Sequence, residues 1–377
     1  MDLHKKLQQK LAERAAQGNL RQLKTTTSLI DFCSNDYLGL ACSEKLRALI
    51  HEEEDKYKKL PLGATGSRLL AGNHILFEEL EQTIARYHHG EAALLFNSGY
   101  TANVGLLSAL PQRGDTVFYD EASHASMKDG LRLSFARSYS FRHNSLDDLR
   151  RKLENATGTV YVVAESVYSM DGDKAPLAEL AQICQEKGAA LIVDEAHAVG
   201  LYGPKGEGIT VALGLEDQVF AQVITYGKAM GSHGAAVVGS KILRDYLINF
   251  SRAFIYTTGL PTHALLTLSC AYKLLPELEK EREQVKKLAW HLSKELNKLE
   301  GIHCTPGESV ILSVFQENRD VQKLKKLASS LQLKGFDVRP ILSPTVPEGQ
   351  ERLRVIVHAY NTLGEIEGLV QAIAKGT

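Results

Sequence analysis

Three apolar runs decide the fold: GTVYVVAES (158–166), AALIVDEAH (189–197) and VFAQVITYGK (219–228). Each is a short stretch of aliphatic and aromatic residues that closes on polar ones. Between them lie stretches of helical period, such as PLAELAQICQEKG (176–188), which opens on Pro and ends on Gly. Strands that are apolar on both faces need cover on both faces. The pattern therefore predicts a mostly parallel sheet between layers of helices, an α/β fold. Working outward, the alternation continues through AALLFNSG (92–99), TVFYDE (116–121) and GAAVVGS (234–240), which sets a large α/β domain over residues 35–255.

Toward the N-terminus, Leu3, Leu7 and Leu11 recur every fourth residue and Gly18 follows, predicting an amphipathic helix over 2–17 in an arm of residues 1–34. One apolar stripe cannot bury itself, so the arm is expected to pack on the body or on a second subunit. Beyond residue 255 the style changes. Val285, Leu288, Leu292, Leu296 and Leu299 line one helical face. VILSVFQ (310–316), a helix over Val321 to Leu331, RLRVIVHA (352–359) and a helix near 364–375 then predict a smaller α+β domain over 256–377 with a core of its own.

Composition excludes several functions. Forty-four basic against 45 acidic residues leave a formal charge of −1, which gives no whole-chain field to draw in nucleic acid or an anionic membrane. No run approaches the ~20 apolar residues of a membrane span, and the first residues lack the apolar centre of a signal peptide. Cys33, Cys42, Cys184, Cys270 and Cys304 are odd in number and hold no C-x-x-C pair, so they read as reduced thiols rather than a disulfide framework or zinc site. A soluble cytoplasmic protein is expected, with no nucleic-acid or membrane partner and no metal.

Ligands of open parallel sheets bind beyond the carboxyl ends of the strands, so the polar residues closing each run come first. Lys228 directly follows an apolar run, and no other Lys or Arg stands between Gly206 and Ser240. Its small, apolar surroundings would depress its pKa and suit it to attack carbonyls; a solvated loop lysine is the bland alternative. Asp194 ends LIVD, where an ionised carboxylate needs a cationic partner, whether a metal, an Arg or a protonated pyridine, unless it is a helix cap. His197 lies three residues on. A metal site built from D-E-A-H finds no further His or Asp cluster to complete it. Gly99 and Tyr100 stand between a strand and a helical pattern, where free backbone N–H groups suit a phosphate. The fingerprints of P-loop, dinucleotide-binding and α/β-hydrolase proteins are missing.

Set in order, SNDYLGL (34–40), GSRLLAGNH (66–74), SGYTAN (98–103), SHAS (123–126), YSMDGD (168–173), VDEAHAVGLYG (193–203), TYGKAMGSHGA (225–235), YTTGLP (256–261) and PTVPEGQERLR (344–354) span nearly the whole chain. With them the chain resembles the α-oxoamine synthases, fold type I enzymes that use pyridoxal 5'-phosphate. It departs from their usual pattern at GATGSR (63–68), where a Gly-richer GSGGSR is common, and at Asn361-Thr362, where His-Thr is common.

The resemblance implies a decarboxylative condensation of an amino acid with an acyl thioester. L-Alanine with a pimeloyl thioester, on coenzyme A or acyl carrier protein, is the pairing it favours; glycine with acetyl-CoA, or the pairing of another α-oxoamine synthase, is the alternative, and a non-catalytic relative would be expected to have lost Lys228 or Asp194. It further implies that Lys228 bonds the cofactor and moves the Cα proton, that Asp194 pairs with the pyridine nitrogen, and that His124 stacks on the ring. His197 would meet the phenolic oxygen. Gly99, Tyr100, Ser169 and Thr225 would hold the phosphate or ring edge, with Thr257 or Thr258 reaching the phosphate of a neighbouring subunit in a homodimer with shared active sites. Arg21, Asn35, Thr345 and Arg354 would contact substrate.

Overall fold

The computed structural model describes residues 2–23, 25 and 28–376. Seven strands form the large sheet: β1 (Ala92–Phe96), β2 (Thr116–Asp120), β3 (Arg137–Phe141), β4 (Val160–Glu165), β5 (Ala190–Asp194), β6 (Val219–Thr225) and β7 (Ala235–Gly239). Their spatial order is β1-β7-β6-β5-β4-β2-β3. Neighbours from β3 through β6 are parallel, while β7 runs against both β6 and β1. Leu191, Ile192 and Val193 on β5 are buried on both faces, which the helix-covered, mostly parallel sheet requires. Pro176 and Gly188 bracket the helix Leu177–Lys187, with Gly188 at φ +63° supplying the left-handed stop.

β3 is the strand that apolar runs do not announce. It sits at the sheet edge and its first three residues are exposed, so nothing selects for an apolar run there.

A second, antiparallel sheet has the order β10-β11-β9-β8, from β8 (Ile302–Cys304), β9 (Ile311–Gln316), β10 (Arg339–Ile341) and β11 (Arg352–Ile356). The expected separate core is not what forms: Val314, Leu353 and Val355 share one continuous apolar cluster with Tyr226, Ala236 and Val238 of the large sheet region. The helix Thr262–Leu274 contributes Leu265, Leu268 and Ala271 to the same cluster.

The arm forms α1 (Leu3–Ala16), opened by Asp2, whose carboxylate accepts the His4 N–H. No residue of α1 is buried, and Leu3, Leu7 and Leu11 are each at least half exposed. Its apolar stripe finds no cover among the described residues. Among the described residues no helix is long and apolar enough to cross a membrane.

Candidate active site

The carboxyl ends of β4, β5 and β6 meet the start of α2 (Gly99–Ala109) around a cleft of about 230 Å³. Parallel register places Glu165 beside Asp194 on adjacent strands. Asn35, Gly99, Tyr100, His124, Asp194, His197, Thr225 and Lys228 all line this cleft, so most of the residues singled out from sequence come together.

The D-E-A-H segment splits by strand alternation. Asp194 faces the cleft, accepting the Asn103 amide at 2.7 Å and the Ala196 N–H at 2.8 Å. Glu195 turns the other way and is saturated by the Ser166 hydroxyl and by both the N–H and hydroxyl of Thr210, at 2.5–2.7 Å. Neither donor to Asp194 is a cation; its charge favours the protonated forms of Lys228 and His124. Burial pushes the Lys228 amine down to about 8, opposed by the negative charges of Asp194 and Glu165. Burial and the charge of Asp194 push the Glu165 carboxyl up to about 8. Glu165 also accepts the His124 N–H at 2.6 Å.

His124 opens α3 (Ala125–Leu133). Its Nδ1 accepts the Ser126 N–H at 3.2 Å and lies 2.8 Å from the Ser126 hydroxyl, which itself accepts from Asn103 at 3.1 Å. One buried amide thus fixes both Asp194 and, through Ser126, His124. Burial lowers the His124 pKa, so the ring is neutral with its proton on Nε2. Asn103→Leu leaves a buried carboxylate and hydroxyl without their donor. It is expected to destabilise the protein by about 1–3 kcal/mol, read from urea unfolding midpoints, and to weaken cofactor retention measured by dialysis.

A phosphate fits the start of α2. Ser98 and Thr101 cap the helix reciprocally, which leaves the Gly99 and Tyr100 N–H groups without a partner among the described residues. The Thr225 hydroxyl, buried beside them, also lacks a partner. A Cβ on Gly99 would lie 2.5 Å from Thr225 Cγ2, so only glycine lets these donors approach so closely. An orphaned hydroxyl, two free amides, a depressed lysine and a buried carboxylate match a phosphorylated pyridine aldehyde such as pyridoxal phosphate.

Arg354, on β11, donates from Nε to the Ser169 carbonyl at 2.8 Å and from Nη2 to Asn35 Oδ1 at 3.0 Å. Ser169 therefore serves here through its carbonyl. Its loop is pinned by His143, whose two ring nitrogens meet Asp120 at 2.8 Å and Asp173 at 2.7 Å. Although burial opposes it, these two carboxylates raise the His143 pKa to about 10. A raised pKa stabilises fully below the unfolded value of about 6.5, and that contribution fades as pH rises through about 10. His143→Gln is expected to lower stability by about 1–3 kcal/mol at pH 7, after allowing for screening at the partly exposed end, and by much less at pH 10.5. Unfolding midpoints at the two pH values check this.

The remaining residues lie outside the cleft of this chain. The Thr257 hydroxyl and Thr258 carbonyl accept from Asn97 at 3.0 and 2.8 Å. Arg21 and Thr345 are exposed. Tyr37, Asn103, Ser126 and His233 were not reached by strand-end reasoning. Tyr37 and Asn103 do sit inside the SNDYLGL and SGYTAN segments, but no periodicity or charge marks them.

The family model described as "Aminotransferase class I and II" matches residues 27–373, and the chain belongs to that family. Among curated relatives, the 8-amino-7-oxononanoate synthase of Emericella nidulans is 42% identical, covering 92% of this chain and 89% of the relative. Among solved structures, the serine palmitoyltransferase of S. paucimobilis with a bound PLP–myriocin aldimine superposes with a TM-score of 0.90 at 29% identity, covering 100% of this chain and 98% of that one. The 8-amino-7-oxononanoate synthase of Francisella tularensis gives a TM-score of 0.79 at 28% identity, covering 92% and 97%.

Proposed function

We propose that this chain is a pyridoxal-phosphate-dependent acyltransferase that condenses L-alanine with a pimeloyl thioester, giving 8-amino-7-oxononanoate, carbon dioxide and free thiol for biotin synthesis. The observation that carries the reading is a single cleft in which a depressed lysine, a buried carboxylate and a set of donors suited to phosphate meet, in a chain 42% identical to a synthase of that name.

In this reading the Gly99 and Tyr100 amides and the Thr225 hydroxyl would hold the phosphate, Asp194 the pyridine nitrogen, and His197 the phenolic oxygen, with His124 on the ring. Bound there, the cofactor supplies an electron sink for the charge left at Cα when a proton or carbon dioxide departs. Lys228, with a pKa near 8, supplies neutral amine at physiological pH both to bond the aldehyde and to carry the proton of the alanine Cα. Arg354 and Asn35, already joined to each other, present N–H groups to the substrate carboxylate. Asp194 keeps its charge aimed at the ring because Asn103 and the Ala196 N–H fix both its oxygens.

The reading extends to a homodimer with shared sites. The uncovered stripe of α1 and the position of Thr257 and Thr258 outside this chain's own cleft support it. Arg21 and Thr345 would then contact substrate only if a second copy or a closing motion brings them near. Purified protein is assayed for thiol release with pimeloyl and acetyl thioesters, each on coenzyme A and on acyl carrier protein, against alanine, glycine and serine, so that one panel tests both the substrate and the carrier. Alanine with a pimeloyl thioester is expected to give the highest kcat/KM; a preference for glycine with acetyl-CoA overturns the substrate assignment.

A further inference from the structure

Tyr37 is fully buried, and nothing in the proposed reading uses it. Its hydroxyl lies between a ring nitrogen and an amide oxygen, 2.6 Å from His197 Nδ1 and 3.2 Å from Asn35 Oδ1. It has one proton to give. Donated N–H···O bonds cluster near 2.9–3.0 Å, whereas hydroxyl donors sit about 0.2 Å closer. A separation of 2.6 Å is that of an O–H donating to the ring nitrogen, and 3.2 Å is long for an O–H donating to an amide oxygen. Asn35 Oδ1 already receives an Arg354 N–H at 3.0 Å, so it can spare the tyrosine.

From this geometry we infer that Tyr37 is a positioning residue: its hydroxyl occupies His197 Nδ1 and so forces the imidazole proton onto Nε2, the nitrogen left for the cleft. His197 lines the cleft, and burial with the Lys228 charge holds its pKa well below the ordinary value, so the ring carries one proton rather than two. The tautomer then decides whether the cleft meets a donor or an acceptor. Tyr37 makes it a donor. The inference rests on the proposed reading in one respect, that this donor meets the cofactor's phenolic oxygen; the tautomer itself does not depend on it.

Tyr37 also ties this choice to the substrate side. Its backbone carbonyl accepts the Ala359 N–H at 2.8 Å, and its neighbour Asn35 is held by Arg354, so the ring is fixed from the small-sheet side of the cleft. The SNDYLGL segment thereby sets two things at once, the amide that faces a substrate carboxylate and the proton that faces the cofactor.

The test is nitrogen NMR of protein labelled with 15N-histidine, as holoenzyme and after cofactor removal, with His197→Asn to assign the resonances. Wild-type protein is expected to show His197 protonated at Nε2 alone in both states. Tyr37→Phe is expected to lose that single-tautomer signature, and kcat/KM for alanine to fall about tenfold, mostly in kcat. A merely structural role would lower the melting temperature and leave the tautomer unchanged, and that result overturns the inference. So does a wild-type spectrum with the proton on Nδ1, a measurement that needs no variant to fold. If the protein fails to bind the cofactor at all, the proposed function falls while the tautomer of the cofactor-free protein still decides the role of Tyr37.

Discussion

Lys228→Ala is expected to reduce turnover by about 10⁴-fold or more while leaving the fold intact. Among the described residues lining the cleft Lys228 is the only lysine, so none of the others can replace it as an amine. The phosphate cradle proposed at Gly99, Tyr100 and Thr225 does not involve Lys228, so the variant should still bind cofactor, now without the covalent absorption band and without a borohydride-stable adduct. Stability supplies an independent sign. The amine titrates near 8 in the folded protein and at 10.5 when unfolded, so the unfolded chain binds more protons between those values. Cofactor-free wild-type protein therefore bears a penalty below about pH 8 that is relieved as pH rises toward 10.5. Removing the amine removes the penalty. Cofactor-free Lys228→Ala should be at least as stable as wild type at pH 7, and its stability should rise less between pH 8 and 10. Calorimetry at those pH values, with thiol release at saturating substrate, checks both halves. Near-normal turnover in the variant would exclude Lys228 as the covalent residue.

Lys228 and Asp194 were legible for the same physical reason. Each follows a run so apolar that a charged residue at its end demands an explanation, and the parallel sheet brings such ends to one place. The order of strands was not legible in that way. Apolar periodicity reveals that GAAVVGS is a strand but not that β7 runs against its neighbours, since direction depends on the connection and not on residue type. β3 escaped because an edge strand has one side open to water, and its alternating RSYSF carries no buried run. Two of the four strands of the small sheet, β9 and β11, were visible with their helices, yet the sharing of a core with Tyr226 and Val238 was not, because contacts between distant segments leave no period in either. Residues that position others are the hardest to read. Asn103 sits one turn into α2 among Ala102, Val104 and Gly105, and its two hydrogen bonds become apparent only when β5 and α3 are placed beside it. His143 is likewise an unremarkable loop histidine in sequence, and it becomes a clamp because β2 and the Tyr168–Asp173 loop bring one carboxylate to each of its nitrogens.

Asp194→Asn is expected to lower kcat by about 10³-fold with cofactor still bound, the second-largest effect at this site. The substitution keeps shape and removes charge. The Asn103 amide can still donate to the remaining oxygen, but the Ala196 N–H or the new amide must lose a partner, a loss of about 1–3 kcal/mol in stability. The lost charge also acts on its neighbour. Glu165 is held up to about 8 by burial first and by Asp194 second. A carboxyl raised in the folded state stabilises below its unfolded value of about 4.5, and that stabilisation disappears as pH rises through about 8. Without the charge at 194, Glu165 should ionise at lower pH, so the fall in stability of cofactor-free protein between pH 5 and 8 should be shallower in the variant. Lys228 moves in the same sense, since Asp194 is the first of the charges that favour its protonated form, and its amine should titrate below 8. The variant would thus hold more neutral amine and yet turn over slowly. That combination separates the two roles: if kcat followed the supply of neutral lysine, Asp194→Asn would be faster than wild type at pH 7, and if kcat depends on a negative charge facing the ring nitrogen, it is slower at every pH. A variant as active as wild type across pH 6–9 would leave the carboxylate with only a structural part in this cleft.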